Sequence, residues 1–258
     1  MTSSRPLSDW TTEMSQSEDT AGLADYYDRY WAGADPAALA THSYRDFQSD
    51  LHAYVSKQLG ALAGLRVLEI GPGLGSATLE LAGRGAEVWA VDISGQSLVA
   101  VRERLAEAGQ TLRPVQMKSE ELAVASASFD LVYVEAVLMH TDWRRTVREC
   151  VRVLKPSGRA IFVEPLRHHP AVALYRSTLS SFRQTRPHYL SWSDFAEIRG
   201  LFAGGQERPF YLLAPFSLPL RGTPLRRLAV PLRALDRALL RLSPLKRVAW
   251  YLVASYSL

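Results

Sequence analysis

Glu69, Gly71, Gly73 and Gly75 stand at alternate positions in the stretch RVLEIGPGLGSATLELA, residues 66–82. Glycine carries no Cβ and tolerates a left-handed backbone. A turn built from three of them can be tight and can let its main chain approach a ligand closely. The flanks fit such a turn. Val67, Leu68 and Ile70 read as a short apolar strand, and a helix begins near Ser76 with Leu79 and Leu81 available to pack inward. A helix start points free N–H groups and the positive end of its dipole into the same space. Strand, glycine turn and helix make a nucleotide cradle. A phosphate loop would need lysine at the helix start, where this chain has Gly75-Ser76-Ala77, and a dinucleotide fingerprint would place its third glycine one residue later.

Asp92 ends a second apolar run, VWAVD, with Ile93 beside it. An acid about twenty residues past a glycine turn can accept from both ribose hydroxyls. Glu135, Glu164 and His140 are further groups able to move a proton, and His140 has the pKa range of a general base. The elements that must position them follow from periodicity. Strands are expected at 66–70, 87–92, 112–117, 130–135 and 159–164, alternating with helices at 75–83, 95–108 and 143–154. Such alternation calls for parallel strands covered by helices on both faces, with ligands at the carboxyl ends of the strands. Glu69, Asp92, Met117, Glu135 and Glu164 all fall at those ends.

The acidic-x-G-x-G-x-G run resembles the first motif of the class I S-adenosylmethionine-dependent methyltransferases. Further matches follow in order: Asp92 after its strand, SFDLVYV at 128–134 with AVLMH at 136–140, and CVRVLKPSG at 150–158 before the strand to Glu164. Across residues 66–165 the chain resembles the ubiquinone-biosynthesis-like (type 11) group. The resemblance implies S-adenosylmethionine as cofactor and S-adenosylhomocysteine as product. Glu69, Gly71, Gly73, Gly75, Asp92, Ile93, Ser119, Glu120 and Glu135 would hold the cofactor, the three glycines against its methionine part. It also puts His140 beside the reacting methyl group. One segment departs from the family: Gln116–Leu122 places Lys118 where an adenine-binding Asp is usual. A lysine has no acceptor to offer, so Ser119, Glu120 or a backbone carbonyl must serve.

The expected fold is α/β: a doubly wound, Rossmann-like, seven-stranded sheet, mostly parallel with an antiparallel last strand. A polar tail at 1–20 precedes a helical lid at 21–62, and the methyltransferase domain fills 63–258. In relatives a lid of this kind covers the cofactor. Tyr26 and Tyr30 would face the sulfonium, whose charge suits an aromatic ring, while Tyr27 and Trp31 would meet the acceptor. An insertion at 166–205 would wall the acceptor pocket with Arg167, His168, Tyr175, Arg176 and His188, suggesting an aromatic or anionic acceptor. Strand six is expected at 209–215 and strand seven at 248–257. Between them Leu225, Leu228, Leu232, Leu235, Leu239 and Leu242 recur at helical spacing. That stripe reads as a face packed on the sheet, with a greasy-ligand or membrane-skimming helix as the rival; Pro231 should break its first turns.

Composition bounds the rest. The 258 residues are 47% hydrophobic, ample for a core, and no apolar run is long enough to cross a membrane. A single cysteine, Cys150, allows no intrachain disulfide, and its helical context reads as core; a cytoplasmic location is expected. Residues 166–258 carry 14 Lys and Arg against 4 Asp and Glu, and residues 1–165 carry 16 against 22. The basic residues lie among leucines and prolines, with no base-reading motif, so nucleic acid is not an expected partner. The adjacent His168 and His169 lack a carboxylate spaced for a metal site, and none is assigned.

These residues imply methyl transfer to O, N or C of a small organic acceptor in specialised metabolism. The alternatives are C-methylation of a prenyl diphosphate with Mg²⁺, where Glu135 or Glu164 would take the proton, and a non-methylating cofactor-binding protein. Oligomeric state stays open, a homodimer included.

Overall fold

The computed structural model describes residues 22–33, 48–178, 185, 187–220, 227 and 229–258. The expected tail at 1–20 and part of the lid, 34–47, lie outside them. Helix α1 spans 22–32 and α2 spans Ser49–Leu59. Then follow β1 (Arg66–Ile70), α3 (Ser76–Gly83), β2 (Glu87–Asp92), α4 (Gly95–Glu107), β3 (Arg113–Gln116) and β4 (Phe129–Glu135). A 3₁₀ turn at Leu138–His140 leads to α5 (Trp143–Val153) and β5 (Leu154–Pro165). Next come α6 (Pro170–Thr178), α7 (Trp192–Arg199), β6 (Gly204–Phe210), α8 (Ala229–Leu239), α9 (Ser243–Lys246) and β7 (Tyr251–Ser257).

The seven strands form one sheet in the order β3-β2-β1-β4-β5-β7-β6. β1 pairs in parallel with β2 on one side and β4 on the other, so the winding reverses between β1 and β4. In open α/β sheets the ligand crevice opens at that reversal. β7 runs antiparallel to both β5 and β6, as expected. Strand residues alternate between two cores. Leu68, Ile70, Val132 and Val134 pack in one with Cys150 of α5. Val67, Leu131, Tyr133, Ile161 and Val163 pack in the other with Leu51, Val55 and Leu59 of α2. Both faces are therefore dry, which is why β1 and β4 read as nearly unbroken apolar runs. Cys150 is buried, and burial pushes its thiol up to about 12.

Helix starts are set by short polar side chains. Ser94 accepts from the Ser97 amide at α4, Asp142 from Arg144 and Arg145 at α5, and Ser191 with Asp194 forms a capping box at α7.

Four expectations are corrected. β6 spans Gly204–Phe210 instead of 209–215, because Tyr211 takes a left-handed φ of 65°. The next three amides, of Leu212, Leu213 and Ala214, donate to the Asp236 carboxylate instead of to a strand. The leucine stripe is only partly packed: Leu225 and Leu228 lie outside the described residues, and Leu232 and Leu239 are half-buried. Leu235 is 47% and Leu242 55% exposed, whereas Asp236 and Leu240 turn inward. The amide-binding role of Asp236 sets the helix rotation, and hydrophobic periodicity does not register it. Finally, Pro231 does not break α8: it lies in the first turn, where no helical carbonyl awaits its missing N–H. β5 also starts earlier than expected. Leu154 pairs with Phe129 and Arg159 with Leu131, so the KPSG segment loops out between two ladder positions.

Candidate cofactor and acceptor cavity

A cavity of about 670 Å³ opens at the carboxyl ends of β1, β2 and β4, beneath α1 and α2. Its floor is the glycine turn. Gly71, Gly73 and Gly75 all have positive φ, 69°, 55° and 77°, and each permits a different approach. A Cβ on Gly71 would stand 2.2 Å from Val137 Cγ2, and one on Gly73 3.3 Å from the Trp31 ring of the lid. A Cβ on Gly75 would stand 3.0 Å from Val101 Cγ1 of α4. Gly71 and Gly73 line the cavity; Gly75 faces the packing behind it.

Glu69 ends β1 with 2% of its surface exposed, and its Oε2 has no hydrogen-bond partner. Burial pushes its carboxyl up to about 8. An orphaned carboxylate oxygen at a ligand cavity fits an incoming cation. Asp92 is held by the Ser94 amide at Oδ1 and the Ser97 hydroxyl at Oδ2, both 2.9 Å. Its pKa is nevertheless raised, chiefly by burial. Ile93 follows at the rim.

At the third strand end the chain alternates. Met117, Ser119 and Glu120 line the cavity, while Lys118 is exposed and does not. Glu120 Oε1 accepts from the Asp142 amide at 3.1 Å, and its Oε2 lies 3.2 Å from the Ser119 hydroxyl. Lys118 therefore does not face the cavity that Ser119 and Glu120 line.

The opposite wall is the segment after β4. Glu135 accepts from the Tyr133 hydroxyl at 2.7 Å. Ala136 adopts φ 55°, an uncommon conformation for a residue with a Cβ, and places Val137, Met139 and His140 on the cavity. His140 stacks edge-on with Tyr27 at 5.6 Å between ring centres. Burial lowers its pKa to about 4, and Nδ1 has no partner. The imidazole is thus neutral near pH 7. Glu164 does not reach the cavity. It is fully buried and accepts from the Val137 and Leu138 amides at 2.9 Å each, which holds the turn that presents His140.

Tyr26, Tyr27, Tyr30 and Trp31 of α1 all line the cavity. Of the expected acceptor residues of the insertion, Arg167, His168, Arg176 and His188 do not. Arg167 bonds the Tyr189 carbonyl and the His188 ring. Arg176 bonds the Leu166 carbonyl and lies over the Tyr189 ring. His168 is exposed, and the Tyr175 side chain lies outside the described residues. His188 still touches the site indirectly, its amide donating to the Met139 carbonyl. Three residues absent from the expected set matter: Asp28, which fastens α1 to the start of α4, Ala136, and His52 of α2, which lines the cavity. Asp28 sits in the aromatic run YYDRYW, and nothing local marks it apart from its charge.

Electrostatics complete the site. Glu69, Glu80, Asp92, Glu120 and Glu135 line the cavity, and no lysine or arginine does among the described residues. Such a cavity attracts a cation, and its aromatic wall can face a sulfonium. The glycine floor, the orphaned Glu69 oxygen and the braced Asp92 fit S-adenosylmethionine. No group of three or more potential metal-binding side chains is found among the described residues, nor does any described helix have the length and apolarity to cross a membrane.

A doubly wound sheet with this floor and these acids at its strand ends defines a nucleotide-cofactor-binding α/β protein. Comparison narrows the class. A family described as "Methyltransferase domain" matches residues 68–162. The ubiquinone biosynthesis O-methyltransferase of Alkalilimnicola ehrlichii is 31% identical over 174 residues, 66% of this chain and 68% of that protein. That of Aromatoleum aromaticum is 34% identical over 146 residues, 50% and 62% of the two chains. This chain belongs to the class I S-adenosylmethionine-dependent methyltransferases. It spans about half to two thirds of the length of the curated relatives it matches. In fold it is similar to phosphoethanolamine N-methyltransferase 2 of Haemonchus contortus, solved with phosphomonomethylethanolamine and S-adenosylhomocysteine. The TM-score is 0.62 at 16% identity, covering 89% of this chain and 60% of that one.

Proposed function

We propose that this chain transfers a methyl group from S-adenosylmethionine to an oxygen of a small, uncharged acceptor with an aromatic body. The observation that carries this reading is the texture of the cavity: five carboxyl groups, four aromatic side chains of α1 and no described lysine or arginine. A diphosphate or other anionic acceptor would meet carboxylates there, which disfavours the prenyl diphosphate alternative. The O-methyltransferase names of the sequence relatives support oxygen over nitrogen or carbon.

When bound, the cofactor supplies an electrophilic methyl on a sulfonium. The chain's own groups do the rest. Glu69 and Asp92 anchor the two ends of the nucleoside–amino acid, and Ser119 and Glu120 bound the base. Tyr26 and Tyr30 shield the sulfonium from water, and Tyr27 and Trp31 hold the acceptor ring. Neutral His140 accepts a hydrogen bond from the acceptor hydroxyl at its unprotonated ring nitrogen, aligning the hydroxyl's lone pair, and takes its proton as the oxygen is alkylated. A base of low pKa suffices because an alkylated oxygen is a strong acid. Alignment in a dry site supplies most of the acceleration.

The test is turnover of the purified chain with a 4-alkylcatechol, with an alkylamine, and with geranyl diphosphate plus Mg²⁺. Methyl ether and S-adenosylhomocysteine in equal amounts from the catechol alone support the reading. Turnover of geranyl diphosphate that stops on chelation overturns it.

A further inference from the structure

We propose that the cleft between β6 and α8 is a second binding site, specific for a phosphoryl-type anion. The cleft holds about 430 Å³ and shares no lining residue with the cofactor cavity. Helix α2 stands between the two, Asp50 facing the cleft while His52 and Val55 face the cavity. Five cationic side chains line it: Arg208, Arg233, Arg237, Arg241 and Lys246.

Its two carboxylates are already engaged. Asp236 is 2% exposed and accepts from the amides of Leu212, Leu213 and Ala214 at 2.7–3.1 Å. Asp50 accepts from the Tyr211 hydroxyl at 2.9 Å. Arg208 lies over the Tyr54 and Phe210 rings, 4.6 and 5.0 Å from their centres, and Arg233 reaches the Ser49 hydroxyl. Among the described residues none of Arg208, Arg237, Arg241 and Lys246 forms an ion pair. Like charges gathered in a concave site repel one another, and a multiply charged anion relieves that repulsion. Guanidinium groups present paired donors that match phosphate oxygens, and several together favour a doubly charged group over a carboxylate. The cations come from β6, α8, the turn after α8 and α9, so only the folded chain brings them together.

A lipid headgroup and a soluble phosphoester offer the same chemistry, and the experiment separates them. The full chain is titrated calorimetrically with inorganic pyrophosphate. In parallel it is sedimented with phosphatidylcholine vesicles, plain or mixed with phosphatidylglycerol. Arg237→Ala/Arg241→Ala is compared with the wild type, and S-adenosylmethionine affinity serves as the check on folding. Saturable pyrophosphate binding that the double variant weakens at least tenfold, with cofactor affinity unchanged, supports the site and points to a soluble phosphoester. Sedimentation that needs phosphatidylglycerol and is lost in the double variant supports it with a headgroup as the ligand. Should the double variant lose cofactor binding, Arg241→Ala and Lys246→Gln, taken singly, carry the same comparison. Wild-type protein that binds neither probe, or variants that bind as well as wild type, overturn the proposal.

Discussion

Asp28 Oδ1 lies 2.6 Å from the Ser94 hydroxyl and 3.2 Å from the Gln96 amide, so the lid helix is fastened to the start of α4. The Ser94 amide in turn donates to Asp92. Helix α1 and the Asp92 carboxylate at the end of β2 therefore share Ser94 as their common brace. Carboxylates at a helix start are stabilised by its free amides and dipole.

Asp28→Ala removes both bonds while leaving every cavity-lining side chain in place. A cap of this kind contributes about 1–2 kcal/mol, so S-adenosylmethionine affinity should fall roughly five- to thirtyfold. Calorimetry measures the affinity, and limited proteolysis within residues 22–33 measures lid docking. Unchanged affinity together with unchanged cleavage would show that the brace is dispensable.

Glu69 gives a pH signature. Its carboxyl titrates near 8 in the fold against 4.5 ordinarily, so the native state keeps a proton that the unfolded chain has released between those values. Stability should fall as pH rises through that window, and Glu69→Gln should flatten part of the slope. A bound cation favours the ionised form, so cofactor binding to the wild type should release a proton. The buffer dependence of the binding enthalpy at pH 7 reads that release, which should shrink in Glu69→Gln. Equal release by the two proteins would remove Glu69 from the site.

His140 shifts the other way, from 6.5 to about 4. Here the unfolded chain gains a proton that the native state refuses as pH falls below 6.5. The sign is again clear: stability is complete above 6.5 and falls by up to about 3 kcal/mol toward pH 4. His140→Gln should unfold at similar denaturant concentrations at pH 7 and pH 4.5 to a greater degree than wild type does. Its kcat should drop roughly 10²–10⁴-fold with little change in cofactor affinity. A variant that retains wild-type kcat would leave His140 as packing against Tyr27.

Gly71→Ala places a methyl group 2.2 Å from Val137 Cγ2 at a φ of 69°. Overpacking and a left-handed non-glycine together should cost about 2–4 kcal/mol, visible as a lower thermal midpoint and lost cofactor binding. Adding Val137→Ala should recover the packing part and leave the backbone part. No recovery in the double variant would place the whole cost in the backbone.

How much of this was legible before the fold was seen depends on the range of the interaction concerned. β1, the glycine turn and α3 form within seventeen consecutive residues, and their pattern needs nothing distant. The same holds for β2 with Asp92 at its end. Strand alternation then implies a parallel sheet, and a parallel sheet puts its ligand at the carboxyl ends.

What lay beyond the sequence was decided by contacts between distant residues and by the directions of single side chains. Lys118 looked like an intrusion into the adenine site, yet the chain after β3 turns it to solvent and leaves Ser119 and Glu120 inside. Arg167, Arg176 and His188 had the right chemistry for an acceptor wall, but they are spent on carbonyls and rings within their own segment. Asp236 rotates α8 by capturing three amides more than twenty residues away, which overrides the leucine period. Composition and spacing thus determined the fold class, the cofactor cradle and Asp92. Only the tertiary structure decided which charged groups face the cavity, because a side chain's direction is set by the partner it finds across the fold and not by its neighbours along the chain.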